Sequence, residues 1–401
     1  MLIENRAFET CFNLSKVILP EGLRQINQSA FRSCKALKEA KLPSTMATMQ
    51  GAVFENTALE YVEIPAMLSI ADSPFDGSNI RYITFDPKCT QIVSNLFCDC
   101  DALESVVIPE GITSINSFAF ALCNNLTDVT LPSTLKSITN LAFMDCPKLK
   151  NVVFSEELTS IGSAFRGCSE LAELNLPSSL QSISPKAFKG TAIESIKIPA
   201  SLTIGANAFE DSPLKEATFA EGSTTIVDSL FCNCTTLEKV DIPNSMTSIG
   251  VSAFEYCSVL PNLVIPESVA HIGETAFQNC SSMADLAILN PECEIFDAES
   301  TIAVNSTIYG YRNSTAEAYA KKYHRTFIAI DRNLEYDFNA DGAFSVADIV
   351  LYPRVLAEDS TLHASVCDVN GDEILTILDV SKLLGFLRAQ QMIPEYINDL
   401  L

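Results

Sequence analysis

Two stretches near the C-terminus carry oxygen-bearing side chains at the spacing of a calcium loop. The first, DFNADGAFSVAD, covers residues 337–348 and has a glycine at its sixth position. The second, DVNGDEILTILD, covers residues 368–379. Calcium takes roughly six to eight hard oxygen ligands, and alternating short Asp and Asn side chains on a tight turn supply them. A single loop of this kind can arise by chance, but two copies at this separation indicate a paired calcium-binding unit.

The predicted ligands are of the same kind in both loops. In the first loop they are Asp337, Asn339, Asp341, the carbonyl of Ala343, Ser345 and Asp348. In the second loop they are Asp368, Asn370, Asp372, the carbonyl of Ile374, Thr376 and Asp379. Glu373 stands where the second loop wants a glycine at positive φ. We therefore expect two calcium ions, the second of them bound more weakly.

Each loop leads into an apolar-periodic segment, IVLYPRVL in the first copy and VSKLLGFL in the second, which predicts a helix. The pair lacks the incoming helix of an EF-hand, and the twelfth loop position is Asp rather than Glu. Duplicated loop-plus-helix units at a chain end resemble the dockerin module, similar to the type I modules of cellulosomal bacteria. The resemblance covers residues 331–401 and implies calcium-dependent docking onto a cohesin module of a scaffoldin.

In dockerins the tenth and eleventh loop positions usually set the choice of cohesin, so the resemblance also implies contact residues. They are Val346, Ala347, Ile377 and Leu378. Both pairs are apolar, unlike the Ser-Thr pair common in clostridial members, and they look more like ruminococcal recognition. Pro353 removes a hydrogen bond inside the first predicted helix, so the two copies present unlike faces. We expect a single contact that involves both helices.

A much longer part of the chain repeats one sequence motif, as in SAFRSCKALKEAKLPSTM from Ser29. Phenylalanine recurs every 21 to 23 positions, at 8, 31, 54, 75, 97, 120, 143, 165, 188, 209, 231, 254 and 277. Three residues later comes Cys, Thr or Ser, and then an alternating stretch such as VEIP or VDIP. The alternation predicts a strand in each unit, and stacked units predict a parallel sheet with phenylalanine as an interior spine.

A second, longer period relates the two halves of this array. Six of the phenylalanines have a partner at one constant offset, as Phe31 has Phe165 and Phe143 has Phe277, and the phrases around them match. Duplication of a six-unit block explains the match and predicts matching local bends about six units apart. The consensus sequence of the units, L-x-x-V/I-x-I-P followed by S-I and A-F-x-x-C, resembles the bacterial surface-antigen (BspA-like) type of leucine-rich repeat.

That resemblance implies a repeat solenoid of about 13 units, with its parallel sheet on the concave face, followed by a small all-α calcium-binding dockerin. The expected domains are the solenoid (1–300), its C-terminal cap (301–330) and the dockerin (331–401). In the cap, Ser314 and Thr315 predict the start of a helix through AEAYAKKY, and TFIAI predicts a last strand.

The chain contains 14 cysteines, and most of them follow the repeat. Nine share one position of the unit: Cys11, Cys34, Cys100, Cys123, Cys146, Cys168, Cys234, Cys257 and Cys280. Side chains at one position of stacked units point the same way, which disfavours disulfide bridges, so we predict small buried free thiols. The pairs Cys98/Cys100 and Cys232/Cys234 have the spacing of metal ligands, but no histidine is near them.

Residues that alternate with the buried ones in each strand should face the concave side. One column is Ile18, Lys41, Glu63, Thr84, Val107, Thr130, Val153, Asn175, Lys197, Thr218, Asp241 and Val264. Its neighbour is Lys16, Glu39, Tyr61, Tyr82, Ser105, Asp128, Asn151, Glu173, Ser195, Glu216, Lys239 and Asn262. Tyr61 and Tyr82 fall on adjacent strands and are suited either to holding a sugar ring or partner side chain, or to stiffening the sheet as a cross-strand pair. The ligand expected there is an unidentified protein or polysaccharide.

Composition and motifs narrow the function classes. The 26 basic and 50 acidic residues give a net charge of −24, which disfavours nucleic-acid and anionic-lipid partners. No run approaches the roughly 20 apolar residues that span a membrane. The common catalytic signatures, such as G-x-S-x-G, H-E-x-x-H and the phosphate loop, do not occur in the sequence. The three histidines, His271, His324 and His363, have no nucleophile fixed near them by sequence, so we expect no enzyme.

These observations favour a non-catalytic cellulosomal component, monomeric before docking, whose repeat array presents a binding surface. The N-terminus MLIENRAFETC lacks the basic region and long apolar stretch of a signal peptide, and we interpret it as the start of a trimmed chain. Export and attachment to a cell-surface cellulosome are therefore expected from the dockerin resemblance alone. The alternatives are a free surface adhesin, whose tail only stabilises it, and, least favoured, an enzyme with an unrecognised site.

Overall fold

The structure, a computed structural model, describes residues 1–66, 68–71 and 73–330. Short parallel strands make up nearly all of its regular structure. In chain order the strands are β1 (Leu2–Ile3), β2 (Lys16–Ile18), β3 (Gln25–Ile26), β4 (Glu39–Lys41), β5 (Thr48–Met49), β6 (Tyr61–Ile64), β7 (Ser69–Ile70), β8 (Tyr82–Phe85), β9 (Gln91–Ile92), β10 (Ser105–Val107), β11 (Ser114–Ile115), β12 (Asp128–Thr130), β13 (Ser137–Ile138), β14 (Asn151–Val152), β15 (Ser160–Ile161), β16 (Ser182–Ile183), β17 (Ser195–Ile198), β18 (Thr203–Ile204), β19 (Glu216–Phe219), β20 (Thr225–Ile226), β21 (Lys239–Asp241), β22 (Ser248–Ile249), β23 (Leu263–Ile265), β24 (His271–Ile272), β25 (Asp285–Ile288), β26 (Glu294–Ile295), β27 (Thr307–Gly310) and β28 (Phe327–Ala329). A 3-10 turn covers Glu299–Thr301, and one α-helix, α1, covers Thr315–Lys322.

The strands form two series that run along the same stack of turns. The first series is the one predicted from the alternating stretches, and its partners are in register, as in the pairing of Tyr61 with Tyr82. Every strand of the second series has two residues, as in Ser114–Ile115, which pairs with Ser137–Ile138. All of these pairings are parallel, which confirms a parallel β-solenoid, here of about 14 turns. The second series was not predicted, because two residues carry no readable alternation.

A third backbone ladder runs through the phenylalanine segments. The N–H of Phe31 donates to the carbonyl of Val53 at 2.9 Å, and the N–H of Phe120 donates to that of Ala142 at 2.8 Å. On either side of Phe31, Ser29 and Ser33 have φ of 56° and 58°, and most other turns repeat this pair of left-handed residues. Such a φ costs an L-residue about 1–2 kcal/mol. The hydrogen bonds to the next turn offset that cost, so the conformation recurs even without glycine.

The phenylalanine spine is confirmed. Consecutive rings stack along the whole array, with centroids from 5.1 Å apart between Phe8 and Phe31 to 6.4 Å between Phe209 and Phe231. Twelve of these side chains are fully buried: Phe31, Phe54, Phe75, Phe97, Phe120, Phe143, Phe165, Phe188, Phe209, Phe231, Phe254 and Phe277. Phe8, in the first turn, remains 41% exposed because a neighbour covers it on one side only.

The cysteine ladder lies directly beside this spine. The Sγ of Cys123 donates to the carbonyl of Phe97 in the preceding turn at 3.1 Å, and Cys280 does the same to Phe254 at 3.1 Å. In the turns that have Thr or Ser instead, the partner varies. Ser212 donates to the carbonyl of Phe188 in the preceding turn at 3.1 Å, whereas Thr57 donates to that of Phe54 in its own turn at 2.8 Å. The position therefore holds a small, weakly polar side chain throughout the stack. The 13 cysteines that the structure describes are free thiols, and those of the ladder are buried except Cys11, which is exposed in the first turn.

Burial also changes the ionisation of these thiols. It raises the pKa of Cys280 and of Cys293 to about 12, since a buried thiolate would lose its hydration. It likewise raises the pKa of Cys232 to about 11, with help from the negative charge of Glu255. Buried thiols of this kind remain protonated at neutral pH and are poor nucleophiles.

The predicted block duplication also has a structural counterpart. The second series is interrupted after β7 and again after β18. It therefore forms three separate ladders, which are β1-β3-β5-β7, β9-β11-β13-β15-β16-β18 and β20-β22-β24-β26. Ser69 of β7 and Thr203 of β18 are as many residues apart in the sequence as Phe31 and Phe165. Each of them lies in a repeat unit of 21 residues, the shortest length in the array. The interruptions of the ladder therefore fall at equivalent places in the two blocks, and the local bends stay a prediction.

One predicted strand is wrong. Glu173 and Asn175 are exposed on the surface as expected, but the segment 171–176, between β15 and β16, forms no paired strand. Backbone bonds hold it only at its ends, where the N–H of Glu170 donates to Pro147 and the carbonyl of Leu171 accepts from Ala192. An alternating sequence thus does not suffice to form a strand here, where the first-series strand of the preceding turn, β14, has only two residues.

The C-terminal cap agrees with its prediction. Ser314 is the N-cap of α1, because the N–H of Glu317 donates to its Oγ at 3.2 Å. The hydroxyl of Tyr319 donates to the carbonyl of Ala298 at 2.8 Å and fixes the helix across the last turn. β28 then pairs with β27 as the final strand. The boundaries predicted at residues 300 and 330 stay predictions.

Truncation of the spine should be most costly in the middle of the stack. We expect Phe143→Ala to lower the free energy of unfolding by about 3–5 kcal/mol, because a fully buried ring stacked on both sides leaves a cavity. The matched control is Phe8→Ala, whose ring is partly exposed and stacked on one side, and it should cost clearly less. Urea unfolding followed by circular dichroism measures both. Equal losses would contradict the spine as the source of stability.

The thiols give a second prediction, based on protonation. At mildly alkaline pH, iodoacetamide should label Cys11 in the native chain and leave Cys123 and Cys280 unmodified until urea is added. Peptide mass spectrometry identifies the labelled positions. Because the folded pKa of Cys280 is raised, its contribution to stability is complete below the ordinary thiol pKa and is lost as pH rises towards about 12. Native labelling of Cys280 at the rate of Cys11 would refute this arrangement.

Candidate binding face

The outer surface of the first-series strands, which we call the strand face, carries both predicted columns of side chains. Their even spacing follows from parallel pairing in register, which places equivalent residues on neighbouring strands beside one another. The face includes aliphatic side chains in open solvent, of which Ile18 and Val153 are the most exposed. Towards the C-terminal end, Glu216, Thr218, Lys239 and Asp241 are only half-buried rather than exposed.

Tyr61 and Tyr82 stand side by side on this face, as predicted. They are register partners on β6 and β8, and they are 48% and 65% exposed. The hydroxyl of Tyr61 lies 2.7 Å from Oγ1 of Thr84, so a hydrogen bond ties it to the neighbouring column. The arrangement leaves two aromatic side chains accessible at one place. It is compatible both with a ligand site and with a pair that stiffens the sheet.

Some charged side chains on the strand face form ion pairs. Lys16 pairs with Glu39 near the N-terminal end. Lys239 lies 2.8 Å from Glu216 and 3.5 Å from Asp241. The hydrogen bond from Lys239 to Glu216 raises the pKa of Lys239 above its ordinary value, with Asp241 adding to the effect. Such solvent-accessible pairs contribute little to stability, so they chiefly determine the pattern of charge that a partner would meet.

The strand face continues beyond the residues predicted from sequence. Asn262 and Asp285 form two hydrogen bonds across adjacent strands, at 2.8 Å and 2.9 Å. Tyr309 follows in register after Ala287, and burial together with the charge of Asp285 raises the pKa of its hydroxyl to about 12. The alternation in DLAI and TIYG was the signal for this extension. It was missed because these strands lack the closing proline used to recognise a unit.

The other candidate groups do not assemble into a site within the described residues. His271 contacts Glu294 at 2.9 Å on the second series, where both side chains are exposed. In the part of the chain that the structure describes, no three His, Cys, Asp or Glu side chains are placed to share a metal ion. No helix within the described ranges has the length and apolar character needed to cross a membrane.

The two calcium loops lie outside the described residues, and so do their predicted ligands from Asp337 to Asp379. The same holds for the predicted cohesin contacts Val346, Ala347, Ile377 and Leu378, and for His363. These sites therefore stay predictions from sequence.

A double-mutant cycle on the tyrosine pair tests whether the two rings interact. We expect Tyr61→Ala and Tyr82→Ala to show a coupling energy of about 0.2–1 kcal/mol, the range for cross-strand pairs. Tyr61→Phe should lose only the contact with Thr84 and retain the ring coupling. Thermal unfolding of the four chains of the cycle supplies the values. A coupling of zero would leave two independent exposed rings and contradict a structural pair.

Comparison with known proteins places the array in a family. The model of the BspA type leucine-rich repeat region matches residues 2–101, 90–213 and 202–300. Among solved structures, the chain is similar to a leucine-rich repeat protein from Bacteroides ovatus, with 23% identity, a TM-score of 0.60 and coverage of 82% of this chain and 87% of the other. It is also similar to a leucine rich cell surface protein from Faecalibacterium prausnitzii, with 25% identity, a TM-score of 0.43 and coverage of 75% and 84%. No curated protein matches it. Because the family model covers most of the sequence, the chain belongs to the BspA-type leucine-rich-repeat family.

Proposed function

We propose that the chain is a non-catalytic cell-surface component that docks onto a cohesin through its two C-terminal calcium loops. The repeat array would then present the strand face to a protein or polysaccharide. Two observations about the family support the general class. Leucine-rich-repeat proteins are generally non-enzymatic binding scaffolds, and BspA-type proteins are bacterial cell-surface proteins.

The observation that carries the docking proposal is the pair of loops starting at Asp337 and Asp368. Each combines a calcium-ligand pattern with a following apolar-periodic segment, and neither has the sequence of an incoming helix. A duplicated unit of this kind resembles a type I dockerin, as used in ruminococcal cellulosomes. In this proposal calcium is structural, because the ions order the loops that position the contact residues.

The array supplies the second half of the proposed function. Its turns are stacked through the spine and the three backbone ladders, so side chains on the strand face keep a fixed spacing. Such a surface suits an extended partner that contacts several turns at once. Tyr61 and Tyr82 are the proposed centre of contact, since they are register-paired aromatic residues on the exposed part of the face.

A free surface adhesin is the second candidate function. Family membership favours it, because the matched repeats account for the array and do not extend into residues 331–401. In this alternative the calcium loops stabilise the chain and make no contact with a scaffold. Both candidates use the same strand face, so an experiment on the tail distinguishes between them.

Cohesin binding should depend on calcium. We expect the full chain to bind at least one module of a ruminococcal cohesin panel in calcium and to lose that binding in EGTA, as measured by isothermal titration calorimetry. Asp337→Ala should weaken binding at least about tenfold, or about 1.4 kcal/mol. Asp368→Ala should weaken it less, because Glu373 already impairs the second loop.

The matched control is Asp359→Ala, which removes the same charge between the two loops and should leave binding unchanged. If no cohesin of the panel binds in the presence of calcium, the docking proposal is refuted. If calcium then still raised the melting temperature of the full chain, the adhesin with a stabilising tail would be the supported alternative. Equal binding in calcium and EGTA would instead contradict a structural role for the ions.

A further inference from the structure

Three residues of each turn line the outer side of the phenylalanine segment, and we call this side the spine surface. They are the residues two before, one after and two after the spine phenylalanine, such as Asn207, Glu210 and Asp211 around Phe209. Side chains of one turn contact each other there, since Nδ2 of Asn207 donates to Glu210 at 3.0 Å. Side chains of successive turns also meet, since Lys189 lies 2.8 Å from Glu210. Each residue of this surface therefore has neighbours in its own turn and in the adjoining turns.

Most turns have small, polar or charged side chains on the spine surface, but two adjacent turns have large apolar ones. Phe118 and Leu122 belong to one of these turns, and Leu141 and Met144 belong to the next. The N–H of Leu122 donates to the carbonyl of Met144 at 2.8 Å, so the two turns are in direct contact. Leu122 is 36% exposed, and the other three side chains are half-buried but do not pack against the hydrophobic core. We call these four residues the apolar patch.

The backbone conformation of the apolar patch disfavours the residues that it holds. φ is 59° at Phe118, 61° at Leu122 and 62° at Leu141. This left-handed conformation is uncommon for a bulky side chain, whereas Asn, Asp and Gly adopt it more readily. Other turns have such residues at the same positions, as in Asn207 and Asn233. Because neither the backbone nor the core requires large apolar groups here, strain and exposure together indicate a contact surface.

Cationic side chains adjoin the apolar patch in the following two turns. Arg166 comes next to Met144 on the spine surface, and Lys186 and Lys189 belong to the turn after it. The spine rings of these turns follow at 5.4 Å and 5.6 Å, so apolar and cationic groups form one strip across four turns. Arg166 and Lys186 are both exposed. A partner that covers the patch along the stack therefore meets these cations as well.

The charges of Arg166 and Lys186 are not matched within the described residues. Elsewhere on the spine surface, charges of successive turns pair with each other, as Arg32 does with Glu55 at 3.0 Å. Arg166 and Lys186 form no ion pair with any described residue, including Asp145 at the border of the patch. In a chain of net charge −24, an unmatched cationic site beside apolar side chains favours a partner that is both apolar and anionic.

We propose that this strip, from the apolar patch to Lys186, docks an acidic amphipathic helix of another protein. Apolar side chains of the helix cover Phe118, Leu141 and Met144, and carboxylates further along it pair with Arg166 and Lys186. The spacing of the four turns, 5.3 Å to 5.6 Å, matches the roughly 5.4 Å pitch of an α-helix, so a helix along the stack places one side chain on each turn. The strip uses neither the strand face nor the calcium loops, so this docking goes beyond the proposed function.

The probe is a fluorescein-labelled helical peptide of about 14 residues, whose contact face has leucines in its first half and glutamates in its second. Fluorescence anisotropy with the full chain should show saturable binding. A matched peptide with lysines in place of the glutamates should bind at least about tenfold more weakly, because it meets Arg166 and Lys186. Arg166→Glu should narrow or reverse that preference. Absence of saturable binding by the glutamate peptide would overturn the proposal, and equal binding of the two peptides would overturn the role of the cations.

The apolar patch is tested by the double variant Phe118→Asn, Leu141→Ser, which should abolish binding of the glutamate peptide. Asn and Ser occupy the same position in other turns, so the variant should retain its melting temperature. The matched control is Ser252→Asn, Thr275→Ser, at the equivalent positions of the second block, and it should leave the affinity unchanged. Unchanged affinity in the patch variant would refute the docking site. A lowered melting temperature of that variant would show that the patch is structural and would also overturn the proposal.

The same patch variant distinguishes two other occupants. Cosedimentation of the full chain with phosphatidylserine vesicles, if lost in the variant, would assign the patch to an anionic bilayer and overturn the proposal. A concentration-dependent dimer in analytical ultracentrifugation, if lost in the variant, would assign it to a second copy of the chain and overturn it likewise. We expect a monomer that does not sediment with the vesicles, because the net charge of −24 repels an anionic bilayer.

Discussion

Each turn of this protein is stable only because it stacks on the next, and the phenylalanine segment is where that constraint is strictest. The ring of one turn lies against the ring of the next, its N–H donates to the following turn, and a thiol or hydroxyl of a later turn often bonds its carbonyl. A single residue per turn therefore takes part in packing, a backbone ladder and a polar contact. Fully buried aromatic side chains of this kind are worth several kcal/mol each, on the order of 3–5 kcal/mol when truncated.

Because the interior is fixed so tightly, most variation between turns falls on residues that point outward. The strand face collects these residues at a regular spacing, including the tyrosine pair and the network of Asn262, Asp285 and Tyr309. The choice of side chain there has little effect on the fold. A repeat array can thus change its partner without changing its core.

Departures from the repeat inside the core are informative for the opposite reason. The cysteine ladder shows that a small polar side chain is accepted where the Phe carbonyl of the preceding turn gives it a partner. Ser223, at another buried position, has no such partner for its hydroxyl within the described residues. The two cases have similar chemistry but differ in whether the neighbouring turn supplies an acceptor.

The sequence by itself determined the period, the spine, most of the first strand series and the C-terminal cap, because each depends on residues at constant spacing or on local capping chemistry. It also predicted the calcium loops, whose proposed ligands all come from one short segment each. Only the tertiary structure decided which backbone groups bond between turns, where left-handed residues recur, and that 171–176 pairs as no strand. It alone showed the second strand series and, among the described residues, the unpartnered hydroxyl of Ser223. These features depend on contacts between residues of neighbouring turns, and a linear pattern does not reveal whether such a contact is made.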